Sequence, residues 1–76
     1  MNIIKSKYVI IEHDGMDAVV VFSPSLLHQD VAGKSKIKSA GFCKLDVKAR
    51  WTVCGESISL NCKARLEDVK ILNELL

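Results

Sequence analysis

Few side chains in this sequence have the types and the spacing that chemistry on a substrate requires. His13 and His28 would have to converge with an acid or a cysteine to hold a metal ion, and nothing in their spacing enforces that. Ser57 and Ser59 follow Gly55 in alternation, but the second glycine of a strand-to-helix nucleophile turn is missing. We therefore expect two surface histidines, two solvent-facing serines, and no catalytic, metal or cofactor site.

The acidic residues near the C-terminus offer no better candidate. Glu67 and Asp68 are adjacent, and adjacent helical residues point about 100° apart, so the two carboxylates cannot face one substrate closely. Arg65 is spaced to pair with Asp68 at i,i+3, and we expect this start of a helix to be solvated. Because a glycine-rich phosphate loop is also missing, the sequence predicts a protein that is not an enzyme.

The basic residues form the most suggestive pattern. They share even parity along two predicted strands and the segments beside them: Lys34, Lys36, Lys38, Lys44, Lys48 and Arg50. If the two strands pair, these side chains form a basic face that includes Phe42. Such a face suits phosphate groups, and an exposed aromatic ring could stack on a base. The alternative is a solvated outer face whose lysines discourage edge-to-edge association.

Two aromatic residues are candidate interface positions. Phe42 either belongs to the basic face or is covered by a helix. Trp51 is the single tryptophan of the chain. Core packing is the expected role of Trp51, and an interface anchor is the alternative.

Hydrophobic periodicity predicts the elements that must position these residues. The predicted strands occupy residues 7–13, 18–22, 37–47 and 49–54. Asp14 and Gly15 predict the turn that joins the first two strands into a hairpin. A short helix is expected between the second and third strands, with Ser23 as its cap, Pro24 in its first turn and Gly33 at its end.

Alternation also assigns the faces of the strands. In the third strand it places Ile37 and Cys43 on one face and Phe42 on the other. Near Gly55 the apolar parity then changes from odd to even positions, of which Ile58 is the first. A strand with one buried face needs a bulge or a turn there. We expect a bulged, bent strand at Gly55, with a tight hairpin as the alternative.

The last segment changes to helical spacing. Leu66, Val69 and Leu72 recur every third residue, which predicts an amphipathic helix over residues 65–75. The order β-β-α-β-β-α predicts an α+β fold, in which a small antiparallel sheet carries a short middle helix and a C-terminal helix. A single domain over residues 1–76 is expected.

Composition sets outer limits on function. The net charge of +2 does not by itself indicate a nucleic-acid partner. No apolar run approaches the roughly 20 residues of a membrane span, and no leader peptide is recognisable, so a cytoplasmic location is expected. Cys43, Cys54 and Cys62 are an odd set without a close pair. That pattern favours buried packing over a disulfide framework or a zinc site.

One resemblance extends over residues 37–76. Its motifs are Ser39-Ala40-Gly41-Phe42, then Gly55-x-Ser57-x-Ser59-Leu60, then Arg65-x-Glu67-Asp68 with Leu72. This set resembles short uncharacterised proteins of bacteriophages and prophages, in which a Ser-Arg-Pro-Glu-Asp sequence opens the final helix. Ala64 and Leu66 replace the serine and the proline of that pattern, so a capping box with Glu67 is incomplete, and Ala64→Ser is expected to stabilise the domain.

The resemblance implies an origin more than a mechanism. The expected function is binding of another protein, a host or phage protein such as a host defence or regulatory factor, in the cytoplasm of the bacterial host. The alternative is a nucleic-acid accessory role for the basic face. A homodimer is compatible with either function, because one small core with an exposed strand edge often self-associates.

Overall fold

The computed structural model describes residues 5–76 and has the α+β architecture that periodicity predicts. Its strands are β1 (Ser6–His13), β2 (Met16–Phe22), β3 (Lys36–Leu45), β4 (Trp51–Cys54), β5 (Glu56–Ser57) and β6 (Cys62–Lys63), and its helices are α1 (His28–Ala32) and α2 (Leu66–Leu75). The main antiparallel sheet has the order β2-β1-β3-β4, and β5 pairs with β6 in a separate hairpin. Residues 1–4 of the expected domain lie outside the described residues.

The main sheet separates two apolar clusters, because successive side chains of β1 point to opposite faces. Tyr8 and Ile10 are fully buried against Leu72 of α2, on what we name the α2 face. Val9 is fully buried on the opposite side with Ala32 of α1, on the α1 face. Each helix thus covers one face of the same four strands.

A β-bulge in β3 changes which side chains share a face. Ile10 of β1 lies opposite Ser39, but Ile11 lies opposite Ile37, so Lys38 is an extra residue without a partner in β1. As a result Ile37 packs in the cluster of the α1 face, whereas Cys43 packs in the cluster of the α2 face. The prediction that these two residues share a face is therefore wrong, since uninterrupted alternation was assumed.

The middle helix is shorter than predicted. It starts at His28, and the residues before it form a turn in which the Leu26 N–H donates to the Ser23 carbonyl (3.1 Å). The Ser23 hydroxyl accepts from the Ser25 N–H (3.2 Å), so it satisfies this turn and does not cap the helix. The predicted end is confirmed, because Gly33 has φ +58° and its N–H donates to the carbonyl of Gln29 (3.0 Å).

Gly55 is neither the expected bulge nor a tight hairpin. With φ +74° it ends β4 and turns the chain out of the main sheet into β5. Glu56 then pairs with Lys63, and Ile58, which alternation placed inward, is 88% exposed in the loop of this small hairpin. The change of parity marks the point where the chain leaves one sheet for another.

The start of α2 is capped one residue later than expected. The Arg65 N–H donates to the carboxylate of Asp68 (2.9 Å), which also receives the Arg65 Nε–H (2.9 Å). Asp68 is fully buried, against the expectation of a solvated helix start. Ala64 instead packs on the cluster of the α2 face, so the idea that Ala64→Ser completes a capping box is wrong.

Ser39 gives a direct test of the α2-face packing. Its side chain is buried, and its hydroxyl has no hydrogen-bond partner within residues 5–76. Because an unsatisfied buried hydroxyl destabilises, Ser39→Ala is expected to raise the free energy of unfolding by about 1 kcal/mol in urea denaturation. Ser57→Ala is the matched control, since Ser57 is equally buried but its hydroxyl accepts from the Leu60 N–H (3.3 Å). A loss of stability in both variants would contradict the conclusion that the buried Ser39 hydroxyl has no hydrogen-bond partner.

Candidate binding surfaces

The six predicted basic residues do not form one face. Lys36 lies opposite Glu12 on the α2 face, whereas Lys44 lies beyond the bulge, on the side of Phe42 and the α1 face. The two lysines are also about 27 Å apart along β3. Lys48 and Arg50 lie in the turn between β3 and β4, and Lys34 precedes β3. The expected convergence is therefore wrong, because the bulge at Lys38 reverses the parity on which it depends.

Two of these lysines are held by carboxylates. The Lys36 ammonium lies 2.9 Å from a Glu12 oxygen, and the Lys38 ammonium lies 2.6 Å from an Asp17 oxygen. The hydrogen bond from Lys36 lowers the pKa of Glu12, and the hydrogen bond to Asp17 raises the pKa of Lys38. This end of β3 is nearly charge-balanced and has little attraction left for phosphate groups.

Phe42 lies at the base of a groove on the α1 face. The groove has a volume of about 420 Å³ and runs between the start of α1 and the segment that opens the small hairpin. The Lys7 ammonium donates to the Leu26 carbonyl (2.7 Å) and lies 5.9 Å from the centre of the Phe42 ring. The Lys5 ammonium lies 5.1 Å from the same centre. Because both cations lie over the ring, a nucleic-acid base would have to displace them to stack there.

His28 forms the inner end of this groove and was expected at the surface. It is 3% exposed, and its Nε2 donates to the Gly41 carbonyl (2.8 Å). Its ring packs edge-on against both Phe22 (5.3 Å between centroids) and Phe42 (6.0 Å). These contacts fix the position of α1 on β3. Within residues 5–76, no three or more side chains of the kinds that bind metal ions lie close enough together to hold one.

Exposed apolar side chains stand on the two rims of the groove. Leu27, the residue before α1, is half exposed on one rim, and Ile58 is 88% exposed on the other. Ser57 and Ser59 flank Ile58, and the Ser57 hydroxyl holds the loop through the Leu60 N–H. Two exposed aliphatic residues on facing rims, with an aromatic floor, are typical of a site that receives an apolar side chain.

Trp51 packs on the cluster of the α2 face, as the core interpretation expects, and is half buried. Its backbone is bound by α2: the Trp51 N–H donates to Asn73 Oδ1 (2.8 Å), and Asn73 Nδ2 donates to the Trp51 carbonyl (3.1 Å). Asn73 had no distinguishing signal in the sequence. Its two hydrogen bonds to the Trp51 backbone hold the C-terminal half of α2 against the edge of the sheet.

The cysteines differ from one another. Cys43 is buried as expected, and burial raises the pKa of its thiol to about 11. Cys62 is half buried, but Cys54 is exposed at the end of β4, against the expectation for all three. No helix among residues 5–76 has the length and the apolar character that a membrane crossing demands.

The fold and its groove define a small α+β protein with an apolar, lysine-bordered cleft on one face of the sheet. Comparisons of the chain with protein-family models, with curated proteins and with solved structures find no match. The interpretation of the groove therefore depends on its own geometry.

Proposed function

We propose that this chain is a non-enzymatic protein that binds another protein through the groove on the α1 face. One observation carries the proposal: Leu27 and Ile58 expose aliphatic side chains on facing rims, above a floor formed by Phe42. A single exposed aliphatic side chain is common, but apolar side chains gathered around a groove are typical of a site that a partner covers. The partner is a host or phage protein, in keeping with the resemblance to phage and prophage proteins, and the setting is the cytoplasm of the bacterial host.

The charges around the groove specify the chemistry of the partner. The ammonium groups of Lys5 and Lys7 lie over the Phe42 ring, and Glu56 also lines the groove. An extended segment with an aliphatic or aromatic side chain fills the groove, and an acidic residue beside that side chain meets the two ammonium groups. Nucleic-acid binding is the second-ranked function, because Lys36 and Lys38 are paired with carboxylates. Of the other basic residues, only Lys44 near the end of β3 and Lys48 and Arg50 in the turn that follows lie close together along the chain.

Selection from a random-peptide display library tests the groove. The purified protein is expected to enrich peptides that combine a large apolar residue with a neighbouring acid. Ile58→Asp is expected to weaken their binding at least tenfold, because it places a charge on the apolar rim. Leu27→Asp gives a second variant that should not destabilise the fold, because Leu27 occupies an N-cap position and aspartate is favourable there.

Val47→Asp is the matched control for these substitutions. Val47 is 87% exposed, like Ile58, but it lies in the turn between β3 and β4, away from the groove. Binding by this variant should equal that of the wild type. Peptides without a shared pattern, or peptides that bind Ile58→Asp as well as they bind the wild type, would refute the proposal. A salt-dependent shift of DNA or RNA that is lost on changing Lys44, Lys48 and Arg50 to glutamate would favour the second function instead.

A further inference from the structure

The two edges of the main sheet differ in how far other residues of the chain bond to their backbone groups. On β4, the side chain of Asn73 supplies one acceptor and one donor to the backbone of Trp51, as a residue of a neighbouring strand would. Asn73 Nδ2 also donates to the carbonyl of Val69 (2.8 Å), which holds the amide in place. The β4 edge is only four residues long and is blocked at its first residue.

The β2 edge has no such cover from the residues that the structure describes. Asp14 and Gly15 form a two-residue turn with φ of +52° and +77°, which is the type I′ geometry, so the flanking pair His13 and Met16 exchanges hydrogen bonds. Alternation then directs the N–H and C=O groups of Met16, Ala18, Val20 and Phe22 toward β1. Those of Asp17, Val19 and Val21 point outward, and no backbone hydrogen bond reaches them from elsewhere within residues 5–76.

Natural edge strands are usually protected, and β2 lacks those protections. It is seven residues long, its last five residues are apolar, and it contains no proline, lysine or bulge. Its one charged side chain, Asp17, is neutralised by Lys38 (2.6 Å). Between Ala18 and Phe22 the edge presents uncharged side chains and an unsatisfied row of backbone groups.

A second copy of this chain fits this edge in one register. With a two-fold axis at Val19, Asp17 of each copy lies opposite Val21 of the other, so outward groups meet outward groups and form about six hydrogen bonds. Ala18 then lies opposite Val20 of the second copy, and both belong to the α1 face, so each face continues across the junction. No unpaired like charges oppose each other, because the Asp17–Lys38 pair is neutral in each copy.

We propose that a second copy of this chain pairs antiparallel with the outer edge of β2 about Val19, and joins two four-stranded sheets into one. The groove on the α1 face is not part of this contact. A failure of the dimer proposal would therefore leave the proposed function untouched, and the reverse is also true. The interface is small and uses backbone groups more than side chains, which places it among weak, concentration-dependent associations.

Sedimentation equilibrium of chemically synthesised protein, over about 10 µM to 1 mM, tests the dimer. N-methylation of the Val19 amide removes one outward N–H and leaves every side chain unchanged, so it should weaken dimerisation at least tenfold. N-methylation at Val47, an exposed turn position, is the control and should have no effect. A wild-type protein that stays monomeric throughout, or a dimer that persists with N-methyl-Val19, would overturn the proposal.

The register has a test that does not depend on how the methylated protein folds. In a mixture of isotope-labelled and unlabelled wild-type chains, the non-hydrogen-bonded pair should give an intermolecular NMR contact between the Hα atoms of Ala18 and Val20. Observation of that contact establishes the two-fold axis at Val19. Its absence at a concentration where the dimer is populated, or a contact between other residues, overturns this register.

Discussion

Replacement of Asp68 with alanine is expected to lower the free energy of unfolding by about 3–5 kcal/mol. The Asp68 carboxylate is fully buried and accepts from the Tyr8 hydroxyl (2.5 Å) and from the Arg65 backbone and guanidinium. Burial, and then the bond to Asp68, raise the pKa of Tyr8, so its hydroxyl stays protonated and continues to donate. Alanine would leave these groups without their acceptor.

A domain of this size has roughly 4–11 kcal/mol of stability in total, so a loss of this magnitude in Asp68→Ala removes at least about a quarter of it. Urea denaturation followed by the fluorescence of Trp51, which packs beneath α2, gives the measurement. Glu67→Ala is the control. The Glu67 side chain is 66% exposed, and its ion pair with Arg65 Nη1, at 3.4 Å, is at the surface. Removing this side chain should therefore change the free energy of unfolding by less than about 0.5 kcal/mol. Equal effects of the two substitutions would show that the buried carboxylate does not stabilise the fold.

Gly41→Ala is expected to lower the free energy of unfolding by about 1–3 kcal/mol, through crowding in the middle of β3. A Cβ atom at this position would lie 2.8 Å from the backbone oxygen of Cys54 and 3.0 Å from the Cβ of Ala64. The first contact is with backbone and cannot be relieved by a rotamer change. The carbonyl of Gly41 also accepts from His28, so a shift of β3 would disturb the floor of the groove.

A double variant separates the two contacts of Gly41. Ala64→Gly removes the side-chain contact but not the contact with the Cys54 oxygen, so it should restore only part of the stability lost in Gly41→Ala. Thermal unfolding of wild type, both single variants and the double variant gives the comparison. Full stability in Gly41→Ala alone would mean that β3 and the residues after β4 can move apart at little energetic cost.

Local signals in the sequence were sufficient for the larger part of the fold. The Asp14-Gly15 turn, the β-forming residues on both sides of it, and the helical spacing of Leu66, Val69 and Leu72 are each local, and each predicted element is present. Gly33 ends the middle helix as expected, because this position has a positive φ of +58°, which glycine adopts without steric cost. Elements determined by neighbouring residues were therefore predictable.

The errors came from features that depend on residues far apart in the chain. The bulge at Lys38 is set by pairing with β1, about 28 residues earlier, and no residue near it signals the change of register. Asp68 was expected in solvent because helix starts are usually exposed, yet it is buried by contact with Tyr8, whose hydroxyl donates to it from β1. His28 is likewise buried by aromatic rings from two different strands.

The candidate groove was only partly visible in the sequence. The sequence singles out Phe42, but it places Ile58 on the buried side of a strand and gives no signal for Leu27, which falls within the predicted middle helix. Strict alternation around Ile58 is the same whether the segment is a long strand or a short hairpin, so periodicity could not distinguish them. The positive φ at Gly55 separates the two cases, and a Cβ atom at this position would lie 3.0 Å from the Phe42 ring.

The side chain of Asn73 has a consequence for how large an assembly can grow. Strand-to-strand association at both edges of a sheet is open-ended and leads to fibres, whereas association at one edge closes after a single step. Pairing through β2 leaves two outer ends that are both β4, and at each end one amide already occupies the backbone of Trp51. In the proposed dimer, this asparagine would therefore oppose the addition of a third chain at either outer end.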